Sequence, residues 1–212
     1  MILFLSLIPL AYFVGGFPTA YLAGKIFKGI DLRQYGSGNV GATNAMRVLG
    51  SKIGISVMLL DIAKGWLPVF VAKMLLNGSN IPEMTTILLS LAIAMAAILG
   101  HVFTPYLKFK GGKGVATSCG VFLGLIPVAL GIALIVFILT IWVSKYVSLG
   151  SILAALTLFA AELVIQLRTN WDDWPLLVFA GVVAGLIIFM HRSNIKRLIA
   201  GNENKLNFQK QK

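Results

Sequence analysis

Three lysines and three glycines fall within seven positions of the segment KFKGGKGVAT, residues 108–117. Glycine lets main-chain N–H groups curl around a ligand, and lysine adds point charge. The small residues after Gly114 read as a helix start with unpaired donors. Such a combination suits an anion, phosphate above all, with Lys108, Lys110, Gly111, Gly112, Lys113 and Gly114 as candidate contacts. Topology-setting lysines alone would account for the charge but not for the glycines. A second stretch, YGSGNVGATNAMR at 35–47, places Gly36, Gly38 and Gly41 where backbone must approach closely. Ser37, Asn39, Thr43 and Asn44 add neutral donors and acceptors, and Arg47 can fork onto a phosphate or carboxylate. The bland alternative there is a flexible connection. HRSNIKRLIAGNEN at 191–204 brings His191, Arg192 and Asn194, and SKYVSLGS at 144–151 brings Ser144, Ser148 and Ser151.

Several chemistries are excluded. GSGNVG has the G-x-G-x-x-G spacing, but it lies between apolar runs rather than in a βαβ unit, so a dinucleotide fingerprint is rejected. Lys113 is followed by Gly114, which breaks the P-loop pattern. VFTPY follows His101 and RSNIK follows His191, so neither histidine has an aspartate five positions on, and no G-x-S-x-G elbow occurs. The two histidines stand ninety positions apart with no cysteine or carboxylate cluster beside either. No metal and no cofactor are expected. Cys119 reads as a small buried hydrophobe, although it and the loop serines are conceivable nucleophiles.

These residues need a scaffold, and the composition says which kind. Of 212 residues 58% are hydrophobic and 12% charged, with a mean hydropathy of +0.90. That is an all-α, polytopic membrane protein in contact with membrane lipid. The net charge of +11 speaks of topology and anionic partners; no aromatic-plus-basic pattern suggests nucleic acid. MILFLSLIPLAYFVGG lacks a positive n-region and reads as a retained first span. Helices are expected near 2–26, 53–76, 84–106, 115–126, 128–144, 149–167 and 175–191. The run 115–144 is either one long helix or two joined near Pro127. With seven spans, the lysines and arginines other than Lys64, Lys73 and Arg168 fall on one side, and Glu83, Arg168, Asp172 and Asp173 on the other. The positive-inside rule then puts the N-terminus outside, the C-terminus in the cytoplasm, and all four polar segments on the cytoplasmic face. Lys73 is expected to snorkel outward. Asp61 and Lys64, at i and i+3 on one helix face, read as a functional pair or as an ion pair bracing the loops. Asp61 is taken as the acidic residue deep in a span. No repeat is visible, so 1–212 is one domain, and oligomeric state stays open.

GSGNVGATNAMRVLG, GHVFTPYLKFKGGKGVAT and HRSNIKRLIAGNENK resemble, in order and spacing, the three signature motifs of the bacterial acyl-phosphate-dependent glycerol-3-phosphate acyltransferases, the PlsY type. DIAKG and SLGSI are similar to that family too. The resemblance implies an inner-membrane enzyme, with its site facing the cytoplasm, at the first step of phospholipid synthesis. It implies transfer of a fatty acyl group from acyl phosphate to the 1-hydroxyl of glycerol 3-phosphate, giving lysophosphatidic acid and phosphate. It implies essential roles for Ser37 and Arg47, glycerol-3-phosphate binding at Gly111, Gly112 and Gly114, active-site roles for His191 and Asn194, and a structural role for Glu203. The residues fit: two phosphate-bearing substrates, two glycine-rich loops, and an already activated donor that needs proximity and charge neutralisation more than a dyad. Direct transfer without an acyl-enzyme is expected. The proton acceptor is His191, His101 or a substrate phosphate oxygen. The rivals are a transporter of phosphate or a phosphorylated metabolite, which would favour repeats and a midplane site, and a head-group phosphotransferase, which would want several intramembrane aspartates.

Overall fold

A computed structural model describes residues 2–169, 171 and 173–206. Asp172, Lys210 and Lys212, used in the charge argument, lie outside the described residues. Among the described residues the regular structure is all helical. In chain order the helices are α1 (Ile2–Gly16), α2 (Thr19–Lys28), α3 (Ala42–Leu49), α4 (Ser51–Leu76), α5 (Glu83–Val102), α6 (Val115–Leu125), α7 (Pro127–Ser144), α8 (Val147–Arg168), α9 (Trp174–Met190) and α10 (Arg192–Ile199). Phe4–Lys28, Ser51–Leu76, Glu83–Leu107, Pro127–Ser144 and Val147–Arg168 are long and apolar enough to cross a membrane. Trp174–Met190 with Arg192–Ile199, bent by 57°, makes a sixth if counted as one span. This is a multi-pass membrane protein. The 115–144 run is two helices, broken at Ile126 (φ −137°) before Pro127. The 11 residues of α6 reach about 16 Å at 1.5 Å per residue, short of a hydrocarbon core of about 30 Å. The apolar run expected over 2–26 is also interrupted, because Pro18 has no N–H to continue α1.

The chain falls into two compact units, divided between Gly124 and Leu125. In the first, helices meet where glycine removes the side chain. A Cβ on Gly15 would strike the backbone of Ala97, and one on Gly100 the backbone of Tyr12, so α1 and α5 touch main chain to main chain. Gly65 meets Thr117 and Gly120 meets Ile62 in the same way, which sets α6 directly on α4. Small-residue contacts of this kind let dispersion do the work that water-driven burial cannot do in lipid. Further along the same pair, Lys73 Nζ donates to Gly124 O at 2.6 Å. Lys73 therefore caps the C-terminal carbonyls of α6, a favourable place for a cation, rather than snorkelling away. Thr117 and Gly120 of α6 meet α4 at residues 62–66, whereas Gly124 lies against Val69 and Lys73, so the two helices run in the same direction.

In the second unit α7 turns into α8 at Lys145, whose φ of +63° closes α7. Gly150 lets α8 approach Phe137 and Ile141 of α7, and Gly181 lets α9 approach Phe159 of α8. Glu162, 2% exposed within α8, accepts from Gln166 Nε2 at 2.7 Å, and Gln166 Oε1 accepts from Asp173 N at 3.2 Å. Asp61 is thus not the sole acidic residue buried within a span. Glu162, inside the apolar run 149–167, escaped the sequence reading.

Candidate active site

The polar segments divide between the two units, and each is held by its own wiring. In the first unit the loop between α2 and α3 is built around Asn44, which is 2% exposed. Its Oδ1 accepts from Ser37 N at 2.9 Å. Its Nδ2 donates to the carbonyls of Asn39 at 2.9 Å, Tyr35 at 3.0 Å and Leu32 at 3.3 Å. The loop folds over this amide because Gly36 (φ +62°) and Gly38 (φ +73°) adopt the left-handed conformation, and a side chain on Gly36 would collide with Asn44 Oδ1. Asn44, expected to contact substrate, spends its polar atoms on shaping the loop. What the loop presents is Ser37, exposed at the tip, with half-buried Asn39, Gly41, Thr43 and Arg47 behind it. Asn39 Oδ1 is buried without a partner among the described residues.

The glycine-and-lysine loop follows α5. Gly111 N donates to Val102 O at 3.0 Å and Gly112 N to His101 O at 3.1 Å. These two N–H groups cap the carbonyl end of α5, so they are not the free phosphate donors that the glycine pattern suggested. Glycine is required there because a Cβ on Gly111 would meet the His101 carbonyl and one on Gly112 the His101 ring. Gly114 (φ +84°) then turns the chain into α6. Lys108 and Phe109 both sit at positive φ (55° and 60°), a sparsely populated conformation for side-chain-bearing residues. Lys108 and Lys110 are exposed and Lys113 is half-buried. The side chains of Lys108, Lys110 and Arg47 make no hydrogen bond or ion pair among the described residues, so their charge is available to an anion.

Beneath this loop lies a buried polar node. Lys64 Nζ stands 2.7 Å from Asp61 Oδ1, and Thr19 Oγ1 donates to the same oxygen at 2.6 Å. Lys64 also donates to Phe17 O at 2.8 Å, and Thr104 Oγ1 to Gly16 O at 2.6 Å. These bonds satisfy the carbonyls that α1 leaves open where it stops at Pro18. The pairing expected of Asp61 and Lys64 is present, and its visible task is to hold α4 against the α1–α2 break. Thr19 and Thr104 were missed; the Pro18 helix break was the signal that a carbonyl end would need donors. A narrow pocket above the node is lined by Val40, Lys64, His101, Thr104, Gly111 and Gly112, among others.

In the second unit Glu203 plays the organising part, its side chain 6% exposed. Asn194 Nδ2 donates to Oε1 at 2.6 Å, Ser148 Oγ to Oε1 at 2.9 Å, and Arg197 Nε to Oε2 at 2.7 Å. Burial by itself would raise the Glu203 pKa, but the bonds from Asn194, Arg197 and Ser148 outweigh it and hold the carboxyl below the usual glutamate range. Leu206 N donates to Lys145 O at 2.8 Å, tying the segment after α10 to the α7–α8 turn. His191, 3% exposed, ends α9, and its Nδ1 lies 2.8 Å from Ile187 O. A carbonyl only accepts, so Nδ1 carries the proton and Nε2 is the basic nitrogen of the neutral ring. Ser144 donates to Thr140 O at 2.6 Å and accepts from Tyr146 N at 3.1 Å, inside the helix end. Among the described residues there is no cluster of three or more metal-ligating side chains.

A protein-family model described as Glycerol-3-phosphate acyltransferase matches residues 5–201. The chain belongs to the glycerol-3-phosphate acyltransferase family. A glycerol-3-phosphate acyltransferase of Chlorobaculum tepidum is 44% identical, with 98% of each chain covered, and that of Chlorobaculum parvum is 44% identical over the same shares. Among solved structures, PlsY, an integral membrane glycerol 3-phosphate acyltransferase in its glycerol 3-phosphate form, superposes with a TM-score of 0.84 at 35% identity, covering 96% of both chains. Its lysophosphatidic acid form gives a TM-score of 0.82 at 34% identity, covering 97% of this chain and 96% of that one. Family membership sets the transporter reading aside.

Proposed function

We propose that this protein transfers a fatty acyl group from acyl phosphate to the 1-hydroxyl of glycerol 3-phosphate, releasing lysophosphatidic acid and inorganic phosphate. The reading is carried by the likeness, over 96% of both chains, to a relative solved in a glycerol 3-phosphate form. The acceptor oxygen attacks the donor carbonyl, the carbonyl–phosphate oxygen bond breaks, and phosphate leaves with the electron pair. A mixed anhydride is already activated, so the protein supplies position and charge neutralisation. Arg47, Lys108, Lys110 and Lys113 offer the positive charge, and Ser37, Asn39 and Thr43 offer short polar contacts. His191, with its proton on Nδ1, offers Nε2 to the acceptor hydroxyl; a phosphate oxygen is the alternative acceptor. Asn194, three residues on in α10, is fixed by Glu203. Asn44, Asp61, Lys64 and Glu203 act by holding loops.

The same reading puts the chain in a bacterial inner membrane with seven crossings, the short α6 counting as one because it packs on α4 instead of facing lipid, with the N-terminus outside and the chemistry on the cytoplasmic face. The one-sided distribution of basic residues supports it. So does the parallel course of α6 beside α4, which brings Gly124 to Lys73, within one turn of the α4 end at Leu76. The family match runs through both compact units, which favours a single catalytic domain.

Purified protein in lipid, without added metal, tests the reaction. Glycerol 3-phosphate is supplied with palmitoyl phosphate or palmitoyl-CoA, and phosphate and lysophosphatidic acid are followed. Turnover with acyl phosphate alone is expected. Turnover with the CoA ester alone would overturn the donor assignment, and radiolabelled acyl retained on denatured protein would overturn direct transfer.

A further inference from the structure

His101 is the one histidine in the first unit, and it was an open candidate for the proton acceptor. Its surroundings give it a different part. The side chain is 7% exposed, at the carbonyl end of α5. One ring edge, Nδ1, faces Asp61 Oδ1 at 3.8 Å. The opposite edge, Nε2, is the first atom that a Cβ on Gly112 would strike. The His101 carbonyl accepts from Gly112 N at 3.1 Å, and the next carbonyl, of Val102, accepts from Gly111 N at 3.0 Å. The ring of His101 therefore bears on Gly112, and its carbonyl on both Gly111 and Gly112. The same Asp61 Oδ1 is held by Lys64 at 2.7 Å and Thr19 at 2.6 Å, so the ring rests on a buried, hydrogen-bonded floor.

We infer that His101 is a positioning residue: its ring is the mould on which the Gly111–Gly112 turn is cast, and it sets where Lys108, Lys110 and Lys113 stand for the acceptor phosphate. This rests on the acyltransferase reading above and goes beyond it by removing His101 from the proton-transfer step. Lodged between the Asp61 carboxylate and the Gly112 backbone, the ring borders the narrow pocket at its Gly111–Gly112 wall and acts by shaping that wall. The sign of the effect follows. Disturbing the mould displaces binding charges and weakens glycerol 3-phosphate binding before it touches the chemical step.

A double-variant cycle tests this in the full-length protein, with palmitoyl phosphate as donor. Gly112→Ala forces a methyl into the ring and should raise the KM for glycerol 3-phosphate by about tenfold, a displacement of the order that misplaces a binding group, with a smaller fall in kcat. His101→Asn keeps a polar group toward Asp61 but vacates the far edge of the ring, and should raise KM severalfold. In the combined variant the methyl has room, so its KM should lie well below the product of the two single effects. The pH profile of kcat should keep its shape in all three. His101→Ser completes the same cycle if His101→Asn aggregates. Multiplicative KM effects would overturn the mould. Loss of the acid limb of the kcat profile, where a general base would be protonated, in His101→Asn would make His101 the proton acceptor and overturn the inference outright. Failure of the unmodified protein to use acyl phosphate would instead strike the acyltransferase reading.

Discussion

Asn44 and Glu203 solve one problem in two ways. Each is a buried side chain with three or more hydrogen bonds, and each holds a segment carrying candidate site residues. Asn44 is neutral and bonds only to main chain, so it dictates the path of a loop. Glu203 is charged and bonds only to side chains, so it dictates where Ser148, Asn194 and Arg197 point. A neutral hub costs little to bury and ignores pH. A charged one is stronger while its partners are in place and fails when it is protonated.

The sharpest way to break the first hub is Asn44→Asp. The shape is kept, but the two donors become acceptors facing the carbonyls of Leu32, Tyr35 and Asn39. A buried carboxylate against three carbonyls should cost about 3–5 kcal/mol, by analogy with breaking a buried pair. Thermal unfolding in detergent should show a large drop, and acyl transfer should fall to background. A stability near that of the parent would mean that the loop is not built on Asn44.

Glu203→Gln probes the second hub and should cost about 2 kcal/mol near neutral pH, since an amide NH2 replaces an acceptor facing Arg197. The pH dependence distinguishes the hubs. The Glu203 carboxyl titrates below its unfolded value in the folded protein. Its contribution is therefore complete above the unfolded pKa of about 4.3 and is lost as pH falls through the lower folded value. The stability gap between parent and Glu203→Gln should close across that acid window, while the gap for Asn44→Ala stays open. Ser148→Ala removes one donor of the three and should cost about 1 kcal/mol, read in the same unfolding assay.

Hydropathy located the long helices to within a few residues, because lipid demands a run whose length is nearly fixed. What periodicity does not carry is how short polar elements are held. The eight-residue helices α3 and α10 have no span-length signal and were not anticipated. Glycine at 111 and 112 announced close approach, but not to what: the partner is the end of α5, which only the folded chain supplies. Asn44 was read as a substrate contact because an asparagine in a glycine-rich loop looks the same whether it faces a ligand or its own backbone. Glu162 was hidden by the apolar residues around it. In contrast, the Asp61–Lys64 pair was legible, because i,i+3 spacing on a helix leaves two buried charges little choice.

The smallest effect separates proximity from placement. Asp31–Arg33 and Glu203–Arg197 are nearly equal in closest approach, at 2.6 and 2.7 Å. Arg33, however, lies two residues from Asp31 in the same turn, while Glu203 also gathers Ser148 from 55 residues away. A contact between neighbours persists in part in the unfolded chain and so adds little to the difference between states. Asp31→Asn also preserves the cap, since an amide oxygen still accepts from Arg33 N. Its melting temperature and activity should match the parent from pH 5 to pH 8, in the assay that resolves Glu203→Gln, the range being about that of ordinary maximal stability. A loss equal to that of Glu203→Gln would mean that the short distance, and not the number of elements gathered, decides what an arginine–carboxylate pair is worth here.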